Sequence, residues 1–342
     1  MSYLCERGHK TYCNNKISET NYVNIGVPQG SVLGPTLFLI YINDINHHLG
    51  YATCNIYADD VLLYYGASNV TQLNLELQHS LDNIKEWYDK NKLVINASKS
   101  NTMLITTRQK EALLKRNSEN YVEMSLNDAM LCQVNTCKYL GVHIDANLNW
   151  CNHVDSLCKE LNFTVWTLSR LRPIVPFESL VQVYMSIMQP KIDYAITVWG
   201  YSTQNNLNKV QNMQNRAIRA IMNNYDFINV RGVDLVSQLK LLNVRQRRDY
   251  FMSLLMFKSI HGLAPNYLSN EIIMEIEDNN RITRHNNCNN VYVPFISTNC
   301  TRNSFSYQGP ILWNSLSDNL KESTSIEMFK RKAKYHFLNQ VQ

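Results

Sequence analysis

The sequence predicts an α+β chain, built from strands in its first half and from helices in its second. Three observations predict it. Short apolar runs with strand character or period-two alternation recur between Tyr22 and Ile144, separated by turn residues. From Trp150 onward the apolar period becomes 3.6. The composition, 45% apolar and 18% charged over 342 residues, supplies two or three domains with real cores and excludes disorder as the default.

Taken in order, residues 2–20 hold Ser2-Tyr3-Leu4-Cys5-Glu6-Arg7 and then a polar run. Tyr22, Val23 and Ile25 lead as a strand into Gly26-Val27-Pro28-Gln29-Gly30-Ser31-Val32-Leu33-Gly34-Pro35. Closely spaced Gly and Pro make this a rigid, tightly turned loop with bare backbone near Gly30. A helix follows, with Leu33, Leu37, Ile40 and Tyr41 at helical spacing. Such a loop lets a flat ligand lie against backbone, or it simply caps the entry to a buried helix.

Two β-prone runs, Tyr51 to Ile56 and Val61 to Tyr65, flank Tyr57-Ala58-Asp59-Asp60 and read as a hairpin. The adjacent carboxylates fit either a solvated hairpin tip or a divalent cation site. Asn69 is placed as the N-cap of a long helix whose stripe is Leu73, Leu77, Leu81, Ile84 and Tyr88. Asn96-Ala97-Ser98-Lys99-Ser100 and a strand at Thr102–Thr106 come next, then a polar connection over 107–120. Val122, Met124 and Leu126 alternate, Asn127-Asp128 marks a turn, and Met130 to Val134 returns. Tyr139 to Ile144 reads as one strand, with Leu140, Val142 and Ile144 on one face.

In the second half, Val154, Leu157, Cys158, Leu161, Val165 and Leu168 define a helix stopped at Pro173. Leu180, Val183, Tyr184, Ile187 and Met188 define one stopped at Pro190. Leu207, Val210, Gln214, Ala217, Ile218 and Ile221 define a third, and a fourth runs from Val244 to His261, before Gly262. Arg245, Arg247 and Arg248 cannot all share a face of that helix, which leaves at least one for plain solubility. Residues 276–290, rich in Asn and charge, read as a mobile loop, and Phe329, Ala333 and Phe337 define a last helix. Its other face, Lys330, Arg331, Lys332 and Lys334, reads as a solvated surface or an import signal.

Net charge is +5, divided unevenly. Residues 1–150 carry 12 Lys+Arg against 14 Asp+Glu, and residues 151–342 carry 21 against 14. The basic excess therefore lies in the helical half, compatible with phosphate contacts. Nine scattered cysteines without a Cys-x-x-Cys pair favour reduced thiols, and no cysteine–histidine spacing suits zinc. The apolar run from Val32 to Ile42 is too short to span a bilayer. The chain is expected to be intracellular, in nucleus or cytoplasm, without a membrane partner.

The glycine-rich block, followed about twenty residues after Pro35 by Tyr57-Ala58-Asp59-Asp60, resembles the reverse transcriptases of jockey-like non-LTR (LINE-type) retrotransposons. The Ser-Tyr-Leu-x-x-Arg block, Asn96 to Ser100, Tyr139-Leu140-Gly141, Trp199-Gly200, Gln214-Asn215-Arg216-Ala217 and Leu312 to Leu316 also resemble landmarks of that family. The resemblance implies a partial right-hand polymerase: a palm over 1–149, its small antiparallel sheet flanked by helices, a helical thumb over 150–264 and a C-terminal extension over 265–342. The fingers and first palm motif are expected to be missing. It implies that Asp59 and Asp60 hold Mg²⁺ or Mn²⁺ and that Lys99 faces the triphosphate. It further implies that Pro28, Gln29, Gly30, Tyr57 and Ala58 line the substrate pocket and that Leu140 and Gly141 form the primer grip. RNA template, DNA primer and dNTP are the implied partners.

Three readings stand on these residues: an RNA-directed DNA polymerase, a non-catalytic nucleic-acid-binding remnant, and a helical protein-interaction scaffold. The resemblance supplies one further aspartate from a strand preceding the glycine loop. Before Gly26 this chain offers only Glu6 and Glu19. Weak metal binding and no polymerisation by the chain alone are therefore expected.

Overall fold

The computed structural model describes residues 3–23, 25–118, 121–274, 289–296 and 298–340. Most of the Asn-rich stretch lies outside them. Two compact units appear: residues 1–104 with 109–134, and residues 105–108 with 135–342. Mixed helix and small strand pairs make the chain α+β, as expected.

In the first unit, β1 (Arg7–His9) pairs antiparallel with β4 (Asn21–Val23), and β2 (Tyr12–Cys13) with β3 (Lys16–Ile17). The polar run thus holds short strands that its sequence pattern does not show. Helix α1 (Gly34–Ile42) follows the glycine loop. Strands β5 (Thr53–Tyr57) and β6 (Asp60–Tyr64) then form an antiparallel hairpin. Asn69 caps α2 (Val70–Lys90) as expected: its Oδ1 accepts from Gln72 N at 2.8 Å. Next come β7 (Asn101–Thr102) and α3 (Arg108–Arg116). Asn127 and Asp128 both take positive φ between β8 (Ser125–Leu126) and β9 (Ala129–Met130). Two such residues are the requirement of a type I′ turn. Strand β10 (Cys132–Gln133) pairs parallel with β7.

These strands form separate two-stranded ladders rather than one small antiparallel sheet, and one ladder is parallel. The strands are short, and their apolar residues turn to a helix instead of to neighbouring strands. Ile56, Val61 and Leu63 pack with Ile42, Ile45, Ile84 and Trp87, while Leu126 and Leu131 pack with Leu73, Leu77 and Leu81. Helix α2 is common to both clusters, as its stripe predicts.

The face of α1 departs from expectation. Ile40 is 69% exposed, and Leu33 and Tyr41 are exposed as well. Phe38 and Ile42 face the core instead. A helix apolar nearly all round carries no periodic signal of its own, so the neighbouring elements decide which face closes.

The second unit opens with β11 (Thr136–Tyr139) and β12 (Val142–Asp145), an antiparallel hairpin. The expected single strand over Tyr139–Ile144 is corrected here, because Leu140 and Gly141 form the turn, with φ of 45° and 80°. The Asp145 carboxylate accepts from the backbone N–H groups of Asn147, Asn149 and Trp150, which fixes the passage into α4 (Cys151–Leu171).

Helices α5 (Phe177–Val183) and α6 (Gln189–Asp193) run on through a π segment at Tyr184–Met188. Pro190 therefore does not stop the helix. The wider π turn accommodates a residue that lacks an N–H, and it shifts the phase of the stripe. Tyr184, Met188 and Ile192 are buried, while Ile187 is exposed. Short α7 (Ile196–Trp199) follows, then α8 (Gln204–Met222), α9 (Gly232–Gln238) and α10 (Val244–Ile260). Asn243 and Gln246 close a capping box at the start of α10. Helices α11 (Asn266–Ser269), α12 (Asn299–Arg302), α13 (Phe305–Ser315), α14 (Asp318–Lys321) and α15 (Ile326–Asn339) complete the chain.

Helix α10 serves two cores. Val244 joins the cluster of α4 to α9, while Leu254, Met256 and Phe257 join that of Trp313, Phe329 and Phe337. Nor are its arginines mere solubilisers. Arg247, 9% exposed, makes a two-pronged ion pair with Asp193. Arg248 pairs with Asp249 and lies over the Tyr201 ring, and Arg245 donates to Gln204.

Candidate functional site

The candidate site is built on the tip of the β5–β6 hairpin. Cross-strand pairs Cys54–Leu63 and Ile56–Val61 share the core face. The pairs Asn55–Leu62 and Tyr57–Asp60 therefore share the opposite face. Asp60 begins β6 on that open face, and Asp59 sits in the turn. Strand alternation separates the two carboxylates by one position, so they leave the backbone in different directions. Ala58 enters the turn at φ 52°, a left-handed conformation that favours glycine. Strained residues of this kind cluster at functional turns.

Tyr57, Ala58, Asp59 and Asp60 are all exposed, and neither aspartate forms an ion pair among the described residues. Two hard oxygen donors free of cationic partners fit a divalent ion such as Mg²⁺. Among the described residues no group of three His, Cys, Asp or Glu side chains gathers to hold a metal.

The glycine loop is held by residues from the start of the chain. Arg7 Nη2 donates to the carbonyls of Ile25 at 2.7 Å and Gly26 at 2.8 Å. The Tyr3 hydroxyl donates to Ser31 Oγ, which donates to Pro28 O at 2.7 Å and accepts from Gly34 N at 3.2 Å. Gly30 has φ 76°, and no atom lies within 4 Å of where a Cβ would stand. Its backbone is therefore bare and accessible beside exposed Gln29, with Pro28 half-buried. Gly34 is required for packing: a Cβ there would lie 2.8 Å from Ser31 Oγ.

Lys99 ends a short 3₁₀ turn, Ala97–Lys99, with its side chain exposed. The turn is set by Asn96, whose carbonyl accepts from Lys99 N at 3.2 Å and Ser100 Oγ at 3.0 Å. One apolar cluster gathers Phe38 after the glycine loop, Ile56 and Val61 of the hairpin, and Ile95 before Lys99. It places the three elements around a common core. No hydrogen bond among the described residues joins Gln29, Asp59, Asp60 and Lys99 to one another.

In the second unit, Leu140-Gly141 is the hairpin tip against Tyr194. The Tyr194 hydroxyl donates to Leu140 O, and a Cβ on Gly141 would lie 3.3 Å from the Tyr194 ring. The sequence offers no signal for Tyr194; Tyr3 and Arg7 stand in the Ser-Tyr-Leu-x-x-Arg block that resembles the family, but their contacts with the loop are distant along the chain and come from the structure.

The acidic hairpin and the pinned glycine loop both lie in the segment with a recognisable family match. Residues 1–144 match the family model for reverse transcriptase (RNA-dependent DNA polymerase), and this part of the chain belongs to that family. Across a longer stretch the chain is similar to the RNA-directed DNA polymerase from mobile element jockey of Drosophila funebris. Identity there is 30% over 215 residues, covering 60% of this chain and 22% of that protein. It is also similar to the probable RNA-directed DNA polymerases from transposon BS and transposon X-element of Drosophila melanogaster. These are 29% and 30% identical and cover 72% and 71% of this chain, and 27% and 26% of each relative. The chain thus spans about a quarter of the length of these relatives.

Proposed function

We propose that this chain is the metal-bearing palm portion and helical thumb of an RNA-directed DNA polymerase of a non-LTR retrotransposon. The observation that carries this reading is the Asp59–Asp60 hairpin beside a glycine loop, within the segment that matches the reverse transcriptase family. RNA template, DNA primer and dNTP are the substrates. Asp59 and Asp60 hold Mg²⁺ or Mn²⁺, which when bound supplies charge stabilisation to the attacking and leaving oxygens. Gln29 and the bare backbone of Gly30 receive the flat face of a base pair, with Pro28, Tyr57 and Ala58 forming the pocket wall. Lys99 offers a cation or a proton to the phosphates. Leu140 and Gly141 approach the primer backbone.

The chain alone does not polymerise in this reading. Two carboxylates that diverge from one turn hold metal weakly, and a displacement of about 1 Å costs roughly a hundredfold in rate. Its residual activity is salt-sensitive binding of RNA–DNA duplex through the basic helical half. The test is primer extension on an RNA template with purified chain, Mn²⁺ or Mg²⁺ and four dNTPs. No extension, with duplex binding that weakens steeply as salt rises, is the expected result. Extension abolished by Asp59→Ala would restore full catalysis to the chain, and salt-insensitive binding would favour the interaction scaffold.

A further inference from the structure

Residues 223–231 join α8 to α9 and hold apolar side chains outward. Ile228 is 94% exposed, Phe227 69% and Tyr225 53%. The backbone beneath them is fixed. Arg219, buried at the end of α8, donates to the carbonyls of Asn224 at 3.3 Å, Asp226 at 3.0 Å and Val230, and its guanidinium lies 4.5 Å from the Phe227 ring centre. The Asp226 carboxylate accepts from the backbone N–H groups of Ile228 and Asn229 and from Asn229 Nδ2. Val230 packs on the helical core, and Gly232 brings α9 so near α8 that a Cβ there would lie 2.5 Å from Asn215. A loop held at its ends and through its middle presents its apolar groups in a set arrangement, so little ordering entropy opposes their burial against a partner.

The charges around the loop select the partner. Residues 219–234 contain two cations, Arg219 and Arg231, and two anions, Asp226 and Asp234. Arg219 turns its charge inward to carbonyls, and Arg231 forms a two-pronged pair with Asp234, at 3.0 and 2.9 Å. The loop therefore offers no open cation to a phosphate, and a polyanion has little to hold there. A protein surface of one charge sign gains nothing either. A second copy of the same surface does fit. A patch of single sign would repel itself across a two-fold axis, whereas this one carries a cation and an anion side by side, so each copy can set one against its opposite on the other. The apolar side chains then meet at the centre and the charges form the rim.

We propose that Tyr225, Phe227 and Ile228 form the centre of a two-fold contact with a second copy of this chain, in which Arg231 of each copy faces Asp234 of the other. One loop is small beside a standard protein–protein interface, so the association is weak and reversible. The contact uses no residue of the acidic hairpin or the glycine loop, and it does not rest on the polymerase reading.

The test is sedimentation equilibrium of the full chain over rising protein concentration. The average mass should climb from 39.8 kDa toward twice that value. Ile228→Asp should weaken the association by about tenfold while melting like the parent. Arg231→Asp and Asp234→Arg should each weaken self-association. An equimolar mixture of those two variants should recover it, because one copy is then acidic at the rim and the other basic. A chain that stays monomeric, or association that survives Ile228→Asp, would overturn the contact. Failure of the mixture to recover would overturn the two-fold arrangement. Loss of RNA–DNA duplex binding on Ile228→Asp, in a chain that is monomeric throughout, would assign the loop to nucleic acid instead.

Discussion

The two units bury apolar residues to different extents, although both also expose some, such as Ile228 and Phe295 in the second. In the second, Tyr184, Trp199, Phe257 and Phe329 are sealed in helix-lined cores. In the first, Val32 is 93% exposed, and Ile25, Ile40 and Val94 also face solvent. The difference follows from backbone hydrogen bonding. A helix satisfies its own N–H and C=O groups, so its side chains are free to close against other helices. Two-stranded ladders leave edges open and offer little apolar area on either face. The unit that carries the acidic hairpin therefore leaves apolar surface open around the glycine loop, while the other unit builds the larger buried cores.

The largest effect should separate the units directly. Trp199→Ala removes a ring buried in the helical core and should cost about 3–5 kcal/mol in urea unfolding. Ile40→Ala, on the open face of α1, should stay within about 0.5 kcal/mol. Comparable losses at both positions would break the comparison.

A smaller loss, about 3 kcal/mol, is expected for Asp193→Ala, which leaves Arg247 buried without its partner. The pair itself contributes little net stability, because burial raises the Asp193 carboxyl above its ordinary value despite the adjacent guanidinium. Asp193→Leu combined with Arg247→Met should therefore recover most of the loss. A double variant as unstable as Asp193→Ala alone would show that the charges do more than offset each other.

The third prediction concerns pH. Burial, with a smaller contribution from His143, lowers the folded-state value of His153 from about 6.5. The unfolded chain then binds the proton more tightly. Stability is full above that unfolded value and is lost as pH falls through it toward the folded value. His153→Phe should flatten this fall, as read from urea midpoints between about pH 7 and 5. Some slope should remain, because burial lowers His336 as well. An unchanged slope would place the pH sensitivity elsewhere.

The same contrast explains what the sequence made legible. Helices α4 and α8 set apolar residues along one stripe, so their buried faces could be read in advance, whereas α10 also buries Gln246, Arg247 and Ser253. The turn at Asn127-Asp128 and the hairpin at Asp59-Asp60 were legible because short-range chemistry decides them. Whatever depends on distant partners was not legible. The buried face of α1 is chosen by β5, β6 and α2, and the role of Arg7 depends on carbonyls eighteen residues away. The continuation through Pro190 depends on a π turn that composition does not announce. Among the candidate residues, the turn at Asp59-Asp60 and the loop at Gly30 followed from local pattern, whereas the turn at Gly141 and the contacts of Tyr3 and Tyr194 came from the structure.

The smallest expected change in stability belongs to the acidic pair itself. Asp59 and Asp60 are exposed and make no ion pair among the described residues, so Asp59→Asn should alter unfolding free energy by less than about 0.5 kcal/mol. The two residues differ in backbone setting. Asp60 is fixed by its pairing with Tyr57, while Asp59 lies in the turn that Ala58 enters at positive φ. If both carboxylates hold one ion, either substitution should abolish the broadening of bound Mn²⁺ seen by electron paramagnetic resonance. Asp60→Asn should do so without loosening the hairpin, read from amide exchange of β5 and β6. Mn²⁺ binding that survives both substitutions together would remove the metal from this tip. Asp59 and Asp60 would then be the exposed tip of a hairpin and nothing more.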